Sequence, residues 1–322
     1  MFVAGASGWL GRRIVIELSR LGVRVVAGSR CGKGVEGANS QVRLQLESDL
    51  DSNTRLSLHG VSVVIHCAAH VHRAVETPSE RQVFWEVNRG GTRRLVDLAS
   101  QIGARRFIYL SSIAFYDWAY GGEVSEGAHL GPNSAYAASK LAGEQLCVES
   151  GLDYRVVRLG TVFGDGDRAN FSKLAGALAR RRFLLPGAGE ARKSVLPLPL
   201  AARLIADLAL RDEVPHRIMN LALPEAPTLR EICGAFSSHC GFPRPLSVPL
   251  GLLRPAARMG DWVARGWPDF PLTSVNLRKL TTSTVVNTRR MQETWPNEDW
   301  GDFARWLAPC AEYYRSVARG SA

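Results

Sequence analysis

Tyr136 and Lys140 are four residues apart in a stretch with helical character, so both side chains project from one face of that helix. A tyrosine with its unperturbed pKa of about 10 is a poor acid or base at neutral pH. A nearby ammonium favours the phenolate and lowers that pKa. The tyrosine can then exchange a proton with a hydroxyl or ketone, and Ser112, at the end of a predicted strand, can hydrogen-bond the same oxygen.

A glycine-rich loop opens the chain between a predicted strand, Phe2–Ala4, and a predicted helix, Gly11–Arg20. Its three glycines allow a tight turn, a close approach of a pyrophosphate, and close packing of the helix on the strand. The helix N-terminus offers free N–H groups to phosphate. This context predicts a nicotinamide dinucleotide site. The predicted contacts in the loop are Gly5, Ser7, Gly8, Trp9, Leu10 and Gly11.

The residues at the end of the second predicted strand, Val23–Gly28, indicate whether the cofactor is NAD or NADP. NAD sites usually carry an acidic residue there that holds the ribose hydroxyls. The chain has Ser29 and Arg30 instead, and an arginine can pair with a 2′-phosphate. The sequence therefore favours NADP(H), with NAD(H) as the alternative.

Short β-rich runs alternate with helical stretches over the first 165 or so residues. Such alternation predicts an α/β fold with a doubly wound parallel sheet of the Rossmann type. The other predicted strands are Val42–Leu46, Val61–Cys67, Arg106–Leu110 and Tyr154–Leu159. The other predicted helices are Ser79–Gln101 and Ser134–Ser150.

The rhythm breaks after Gly164, where a helical stretch at Asn170–Arg182 is followed by Pro-rich sequence. We expect residues 1–166 and about 193–222 to form the dinucleotide-binding domain. Residues of about 167–192 and 223–322 would form a smaller C-terminal α/β lobe for the substrate. Because ligands of open parallel sheets bind beyond the strand C-termini, a cleft between the two parts is the expected site.

Composition excludes several classes of protein. The 322 residues are 46% hydrophobic, which suits a globular chain, and the formal net charge of +10 suits anionic ligands. Six scattered cysteines without CxxC spacing argue against disulfides or zinc, so no metal site is expected. Dispersed arginines argue against nucleic-acid binding. With no membrane span or targeting segment evident, we expect a soluble, cytoplasmic protein without stable membrane insertion.

Several motifs occur together in a characteristic order. They are GASGWLG at 5–11, VIHCAAH at 64–70, VNRGGT at 87–92, LSS at 110–112 and YAASK at 136–140. Together they resemble the extended short-chain dehydrogenase/reductases, in particular the nucleotide-sugar epimerase/dehydratase group. The resemblance assigns catalysis to Ser112, Tyr136 and Lys140. It also implies cofactor contacts for five further residues, namely Asp49, Leu50, Ala68, Ala69 and Asn88.

The resemblance extends to the substrate. Asn170 corresponds to the asparagine that holds a nucleotide-sugar diphosphate in the family, with an ordinary helix-capping role as the alternative. Arg192 and Lys193 fall where the family has a diphosphate-binding arginine, and either can take that role or be a solvated loop charge. His72 lies near the expected substrate mouth, or is a polar loop residue. These assignments imply a UDP-sugar substrate.

The segment after the catalytic serine helps to choose among the reactions that the family catalyses. Residues 111–116 carry no carboxylate, whereas 4,6-dehydratases of the family have an Asp-Glu pair there, so dehydration is disfavoured. The resemblance favours a 4-ketoreductase or 4-epimerase for UDP-N-acetylhexosamine derivatives in bacterial surface-polysaccharide (lipopolysaccharide) biosynthesis. Alternatives are an NADP-dependent reductase of non-sugar ketones and a non-catalytic NADP-sensing protein. A homodimer through helices 79–101 and 134–150 is also expected.

Overall fold

The computed structural model describes residues 1–48, 52–71, 77–267 and 270–320. Asp49, Leu50 and His72, three of the predicted site residues, lie outside the described residues. The strands, in chain order, are β1 (Phe2–Ala4), β2 (Val26–Ser29), β3 (Ser40–Arg43), β4 (Val63–His66), β5 (Arg106–Ser112), β6 (Glu123–Val124), β7 (Asp153–Leu159), β8 (Thr161–Phe163), β9 (Leu184–Pro186), β10 (Val195–Pro197), β11 (Ile218–Leu221), β12 (Leu246–Val248) and β13 (Val285–Val286).

The helices follow the same order. They are α1 (Trp9–Arg20), α2 (Ser52–Ser57), α3 (Pro78–Phe84), α4 (Gly91–Gln101), α5 (Ala135–Val148), α6 (Asn170–Ala179), α7 (Leu198–Leu210), α8 (Leu229–Cys240), α9 (Leu250–Gly266), α10 (Ser274–Thr281), α11 (Arg289–Thr294), α12 (Phe303–Leu307) and α13 (Ala311–Arg319). Across the described ranges, no helix is long and apolar enough to cross a membrane.

Seven of the strands form one parallel sheet in the order β3-β2-β1-β4-β5-β7-β11. Successive strand residues point to opposite faces, so each face has its own core. Val3 and Ile65 belong to the cluster that includes residues of α1 and α7, whereas Phe2 and Val64 belong to the cluster on the α4 side. Helices on both faces of a parallel sheet confirm the predicted Rossmann-type fold.

The predicted helix Ser79–Gln101 is interrupted. Thr77 caps α3 in a capping box with Glu80, and a π-helical turn, Trp85–Gly90, separates α3 from α4. A π-turn widens the helix by one residue and often marks a functional position. Here it carries Asn88, whose side chain is buried.

Among the described residues, six short strands lie outside the seven-stranded sheet. Three parallel strand pairs, β8–β10, β9–β12 and β6–β13, tie distant segments together. Pro199 lies in the first turn of α7, where its missing N–H costs nothing, so the Leu-Pro-Leu segment at 198–200 still opens a helix.

Candidate active site

The glycine loop joins β1 to α1 with no room for side chains at two positions. Gly5 has a φ of +85°, and a Cβ there would lie 2.5 Å from the backbone nitrogen of Ala68 at the end of β4. A Cβ at Gly11 would lie 2.3 Å from the carbonyl oxygen of Gly5. The loop is therefore compressed against α1 and β4, as its glycine spacing predicts. Ala69 follows Ala68 and is partly buried beside it.

The N-terminus of α1 is suited to an anion. Gly8 is its N-cap, no side chain caps the first turn, and no acidic residue lies in it. A Cβ at Gly8 would meet only the Gly5 carbonyl oxygen within 4 Å, so the backbone is approachable. Trp9 is fixed by a hydrogen bond from its Nε1 to the carbonyl oxygen of Asp165, 2.6 Å. These residues fit the pyrophosphate of a dinucleotide.

Ser112 and Tyr136 meet where β5 ends and α5 begins. Ser134 caps α5 by accepting a hydrogen bond from the N–H of Ala137, which places Tyr136 in the first turn. A hydrogen bond joins the side chains of Ser112 and Tyr136 and lowers the pKa of the phenol, but burial raises that pKa by more. The ring of Phe84 lies edge-on, with its centroid 5.9 Å from that of Tyr136. The protein groups around Tyr136 thus raise its pKa overall. The lowered pKa expected from the joint positive charges of Lys140 and a bound nicotinamide stays a prediction.

Lys140 is buried one turn further along α5. Its Nζ donates to the carbonyl oxygen of Leu110, 2.6 Å, and lies 4.2 Å from the ring centroid of Tyr109. Burial lowers the pKa of Lys140 to about 8, partly opposed by the nearby acidic groups. The ammonium is thus held at the end of β5, beside the residues that precede Ser112.

Asn88 connects the cofactor side of the site to α5. Its amide Nδ2 donates to Ser139 Oγ, 3.0 Å, and to the carbonyl oxygen of His70, 3.1 Å, while its Oδ1 accepts from the N–H of His70, 2.7 Å. The π-turn aims this side chain inward. Asn88 therefore fixes the segment after β4 against the helix that bears Tyr136, which is a supporting role.

A buried ion pair next to Ser112, Tyr136 and Lys140, here called the triad, was not predicted. Glu144 Oε1 lies 2.6 Å from Arg158 Nη2 of β7, and Ser111 Oγ donates to Glu144 Oε2, 2.6 Å. Arg158 also donates to the hydroxyl of Tyr116, 2.7 Å. Glu144 is four residues beyond Lys140, so it shares the face of α5 that carries the triad. The four-residue spacing from Lys140 to Glu144 was the one signal in the sequence for this ion pair. It did not reveal the partner of Glu144, because Arg158 lies on another element.

Arg30 directly follows β2 and is exposed. Before it, the buried Ser29 accepts a hydrogen bond from the N–H of Gly32, 3.1 Å, which shapes the turn. The guanidinium is therefore accessible at the carboxyl end of the second strand. This is the location at which a 2′-phosphate would meet it.

Besides Ser112, the predicted substrate residues that the structure describes are Asn170, Arg192 and Lys193. Asn170 is exposed at the start of α6. Asp167 accepts hydrogen bonds from the N–H groups of Ala169, 2.7 Å, and Ser172, 2.9 Å, so the helix N-terminus is already partly filled by a carboxylate. Those two N–H groups are therefore already paired with a carboxylate, whereas the side chain of Asn170 is exposed at the same helix start.

Arg192 and Lys193 differ in their surroundings. Arg192 is exposed and lines an open pocket of about 360 Å³ with Glu231 and His239. Lys193 Nζ donates to the carbonyl oxygens of Lys279, 2.7 Å, and Thr282, 2.5 Å, at the end of α10, and burial lowers its pKa to about 8. The ammonium of Lys193 therefore caps a helix C-terminus, leaving Arg192 as the freer cation.

Comparison with known proteins gives the following matches. A model of the NAD dependent epimerase/dehydratase family matches residues 1–196. The uncharacterized protein y4nG of Sinorhizobium fredii is 30% identical over 267 residues, 80% of this chain and 65% of that protein. The UDP-glucose 4-epimerase of Vibrio cholerae is 28% identical over 192 residues, 54% of this chain and 55% of that protein. The chain thus spans about half to two thirds of the lengths of these two relatives.

A solved structure supports the fold. MoeE5 in complex with UDP-glucose and NAD superposes with a TM-score of 0.75 at 22% identity, covering 100% of this chain and 99% of MoeE5. The family match extends over more than half of the chain and includes the glycine loop, Asn88 and the triad. It confirms the resemblance drawn from the motifs. The chain belongs to the NAD dependent epimerase/dehydratase family.

Proposed function

We propose that this protein is a nicotinamide-dependent oxidoreductase that acts at C4 of a UDP-linked sugar, as a 4-ketoreductase or a 4-epimerase in bacterial surface-polysaccharide biosynthesis. The observation that carries the proposal is the hydrogen bond between Ser112 and Tyr136, with the buried Lys140 one helical turn beyond Tyr136 and its Nζ at the Leu110 carbonyl oxygen. Proton exchange at an alcohol or ketone oxygen is the chemistry that such a cluster performs best.

The proton balance assigns a role to each residue. A bound nicotinamide supplies or accepts the hydride at the sugar carbon. In the direction of reduction, Tyr136 gives its phenolic proton to the oxygen at that carbon, and Ser112 holds the same oxygen. Lys140 stabilises the phenolate that remains. In oxidation the phenolate takes the hydroxyl proton. Burial, which raises the pKa of Tyr136, keeps its phenol protonated and able to donate at neutral pH.

We infer that the cofactor is NADP(H), with NAD(H) as the alternative. The exposed guanidinium of Arg30 and the absence of an acidic residue at 26–30 support a 2′-phosphate at the end of β2. MoeE5, by contrast, was solved in complex with NAD. The ratio of dissociation constants for the two cofactors, measured with the native chain and with Arg30→Ala, tests this point. A native preference for NAD would refute it.

For the substrate, we propose that Asn170 and Arg192 contact the diphosphate of a UDP-sugar. Both are exposed, and the MoeE5 complex contains UDP-glucose. Lys193 would contribute indirectly, because its hydrogen bonds to backbone carbonyl oxygens hold the end of α10 in place. We propose two domains. Residues 1–166 and about 193–222 would form the cofactor-binding domain, and residues of about 167–192 and 223–322 would form the substrate-binding lobe.

A homodimer through α3, α4 and α5 remains part of the proposal. Three apolar residues of these segments, Val87, Leu95 and Leu146, are buried within the chain itself. Trp85 and Val148 nevertheless stay exposed on the same helices and supply an apolar surface. A monomer by light scattering at micromolar concentration would refute the dimer.

The function is tested by supplying UDP-4-keto-6-deoxy-N-acetylhexosamine with NADPH and following the absorbance of the reduced cofactor. We expect turnover, and a loss of about 10²–10⁴-fold in Tyr136→Phe, because the phenyl ring has no proton to give. Unchanged cofactor affinity in the variant would show that the fold is intact. No turnover, together with no epimerisation of UDP-sugars, would rule the proposal out.

A reductase of non-sugar ketones is the main competing function, since it would use the same three residues. Thermal stability in the presence of UDP separates the two functions. Only an enzyme with a nucleotide-sugar site gains stability from UDP, by mass action on the folded state. A fully active Tyr136→Phe protein in the cell would instead favour the non-catalytic NADP-sensing alternative.

A further inference from the structure

Helix α9 presents an apolar face to solvent. Its opposite side packs towards α10 and Leu272 through three buried residues, Leu253, Ala257 and Gly260. The exposed face is formed by residues spaced three, four or seven apart, which align along one side of a helix. These residues are Leu252, Pro255, Met259, Trp262 and Val263, with exposed fractions of 67% at Leu252, 72% at Met259 and 71% at Trp262.

Positive charge lies along one edge of this apolar face. Arg254, Arg258 and Arg265 are all exposed and fall on adjoining positions of the helical surface. The guanidinium carbon of Arg265 lies 4.3 Å from the ring centroid of Trp262, so the cationic and apolar surfaces are continuous. Asp261 is the single acidic residue of α9, and its carboxylate accepts a hydrogen bond from the N–H of Ser274.

We propose that α9 docks this protein on the surface of a bilayer that contains anionic lipids. An apolar stripe with an exposed tryptophan, edged by arginines, is the composition of a helix that lies in the plane of a membrane interface. Charge complementarity selects the lipid, because three exposed guanidinium groups attract anionic headgroups. The docking is peripheral, because the other side of α9 packs against the rest of the protein.

Other occupants fit this face less well. A second copy of the chain would bring the same arginines towards one another, and like charges at such an interface weaken association. A nucleic acid would bind the arginines but leave the exposed Leu252, Met259 and Trp262 without partners. The proposal is independent of the catalytic function, since α9 carries none of the residues assigned to the reaction.

Vesicle flotation tests the docking, with the full chain and vesicles of phosphatidylcholine alone or mixed with phosphatidylglycerol. We expect binding to the mixed vesicles, weakened by salt, which screens exposed charges. The double variant Met259→Ser, Trp262→Ser should lose it. The matched control Leu21→Ser, Leu56→Ser removes two exposed apolar side chains from the other half of the protein and should bind normally.

A second pair of variants isolates the charge. Arg254→Glu with Arg258→Glu should lower partitioning at least about tenfold, whereas Arg24→Glu with Arg55→Glu should have little effect. Cofactor affinity should stay native in all four variants, which excludes misfolding. The proposal is overturned if the native chain does not float with anionic vesicles, if the α9 variants float as well as their controls, or if the α9 changes only convert a dimer into a monomer.

Discussion

Replacing Lys140 with methionine should abolish the reaction and also make the protein harder to unfold. The ammonium is buried, and its pKa falls from an ordinary 10.5 to about 8. That difference corresponds to about 3 kcal/mol by which the folded state disfavours the charged form. The variant also loses the hydrogen bond to Leu110 and the contact with the Tyr109 ring, together about 1–2 kcal/mol.

The net expectation at neutral pH is therefore a stabilisation of about 1–2 kcal/mol, or a rise of about 1.5–3 °C in the melting temperature. Such opposition between function and stability is common where a site holds a buried charge. The control is Lys279→Met, which removes an exposed lysine and should change the melting temperature little.

The pH dependence of this stabilisation has a definite sign. The unfolded chain binds the Lys140 proton up to about pH 10.5, but the folded protein releases it near pH 8. The cost of the buried charge is thus fully present below pH 8 and disappears as the pH rises towards 10.5. The two proteins should converge in stability over that range. A methionine variant that melts at a lower temperature than the native chain at pH 7 would refute this reasoning.

Two further changes test the surroundings of the site. Gly11→Ala should weaken cofactor binding and lower the melting temperature, because its Cβ would overlap the Gly5 carbonyl. The control Gly234→Ala lies in α8 with open space around it and should stabilise the protein by up to about 1 kcal/mol. Equal effects of the two changes in calorimetry would contradict this. Glu144→Gln should destabilise by about 3 kcal/mol in urea titration, because it leaves Arg158 buried without its counter-charge. The exposed Glu149→Gln is its control, and a loss below about 1 kcal/mol at Glu144 would contradict the expectation.

Local patterns in the sequence were sufficient for the Rossmann-type sheet and the triad. Glycine spacing, apolar strands and the four-residue step from Tyr136 to Lys140 are short-range signals, and each maps to one element. The interruption of the helix at Trp85–Gly90 has no such signal, because a π-turn is stabilised by the packing of Asn88 against Ser139. The burial that raises the pKa of Tyr136 likewise depends on packing between elements, which no local pattern reveals.

Long-range contacts set the remaining features of the site. Glu144 was overlooked because its partner, Arg158, comes from a different strand. Lys193 was one of two candidates for a diphosphate contact, and the sequence did not show that its Nζ donates to carbonyl oxygens at the end of α10, about ninety residues away in the chain. Asp167 similarly fills the helix N-terminus beside Asn170. No periodic pattern in the irregular C-terminal sequence predicts such pairings.

The central claim is hydride transfer at sugar C4 with proton exchange at Tyr136, and isotope transfer tests it most directly. The protein is mixed with UDP-4-keto-6-deoxy-N-acetylhexosamine and reduced cofactor deuterated on both faces at the nicotinamide C4. We predict a product with one deuterium at sugar C4 from the native chain and no labelled product from Tyr136→Phe. Product without deuterium at C4, or equal labelling by the variant, would contradict the account.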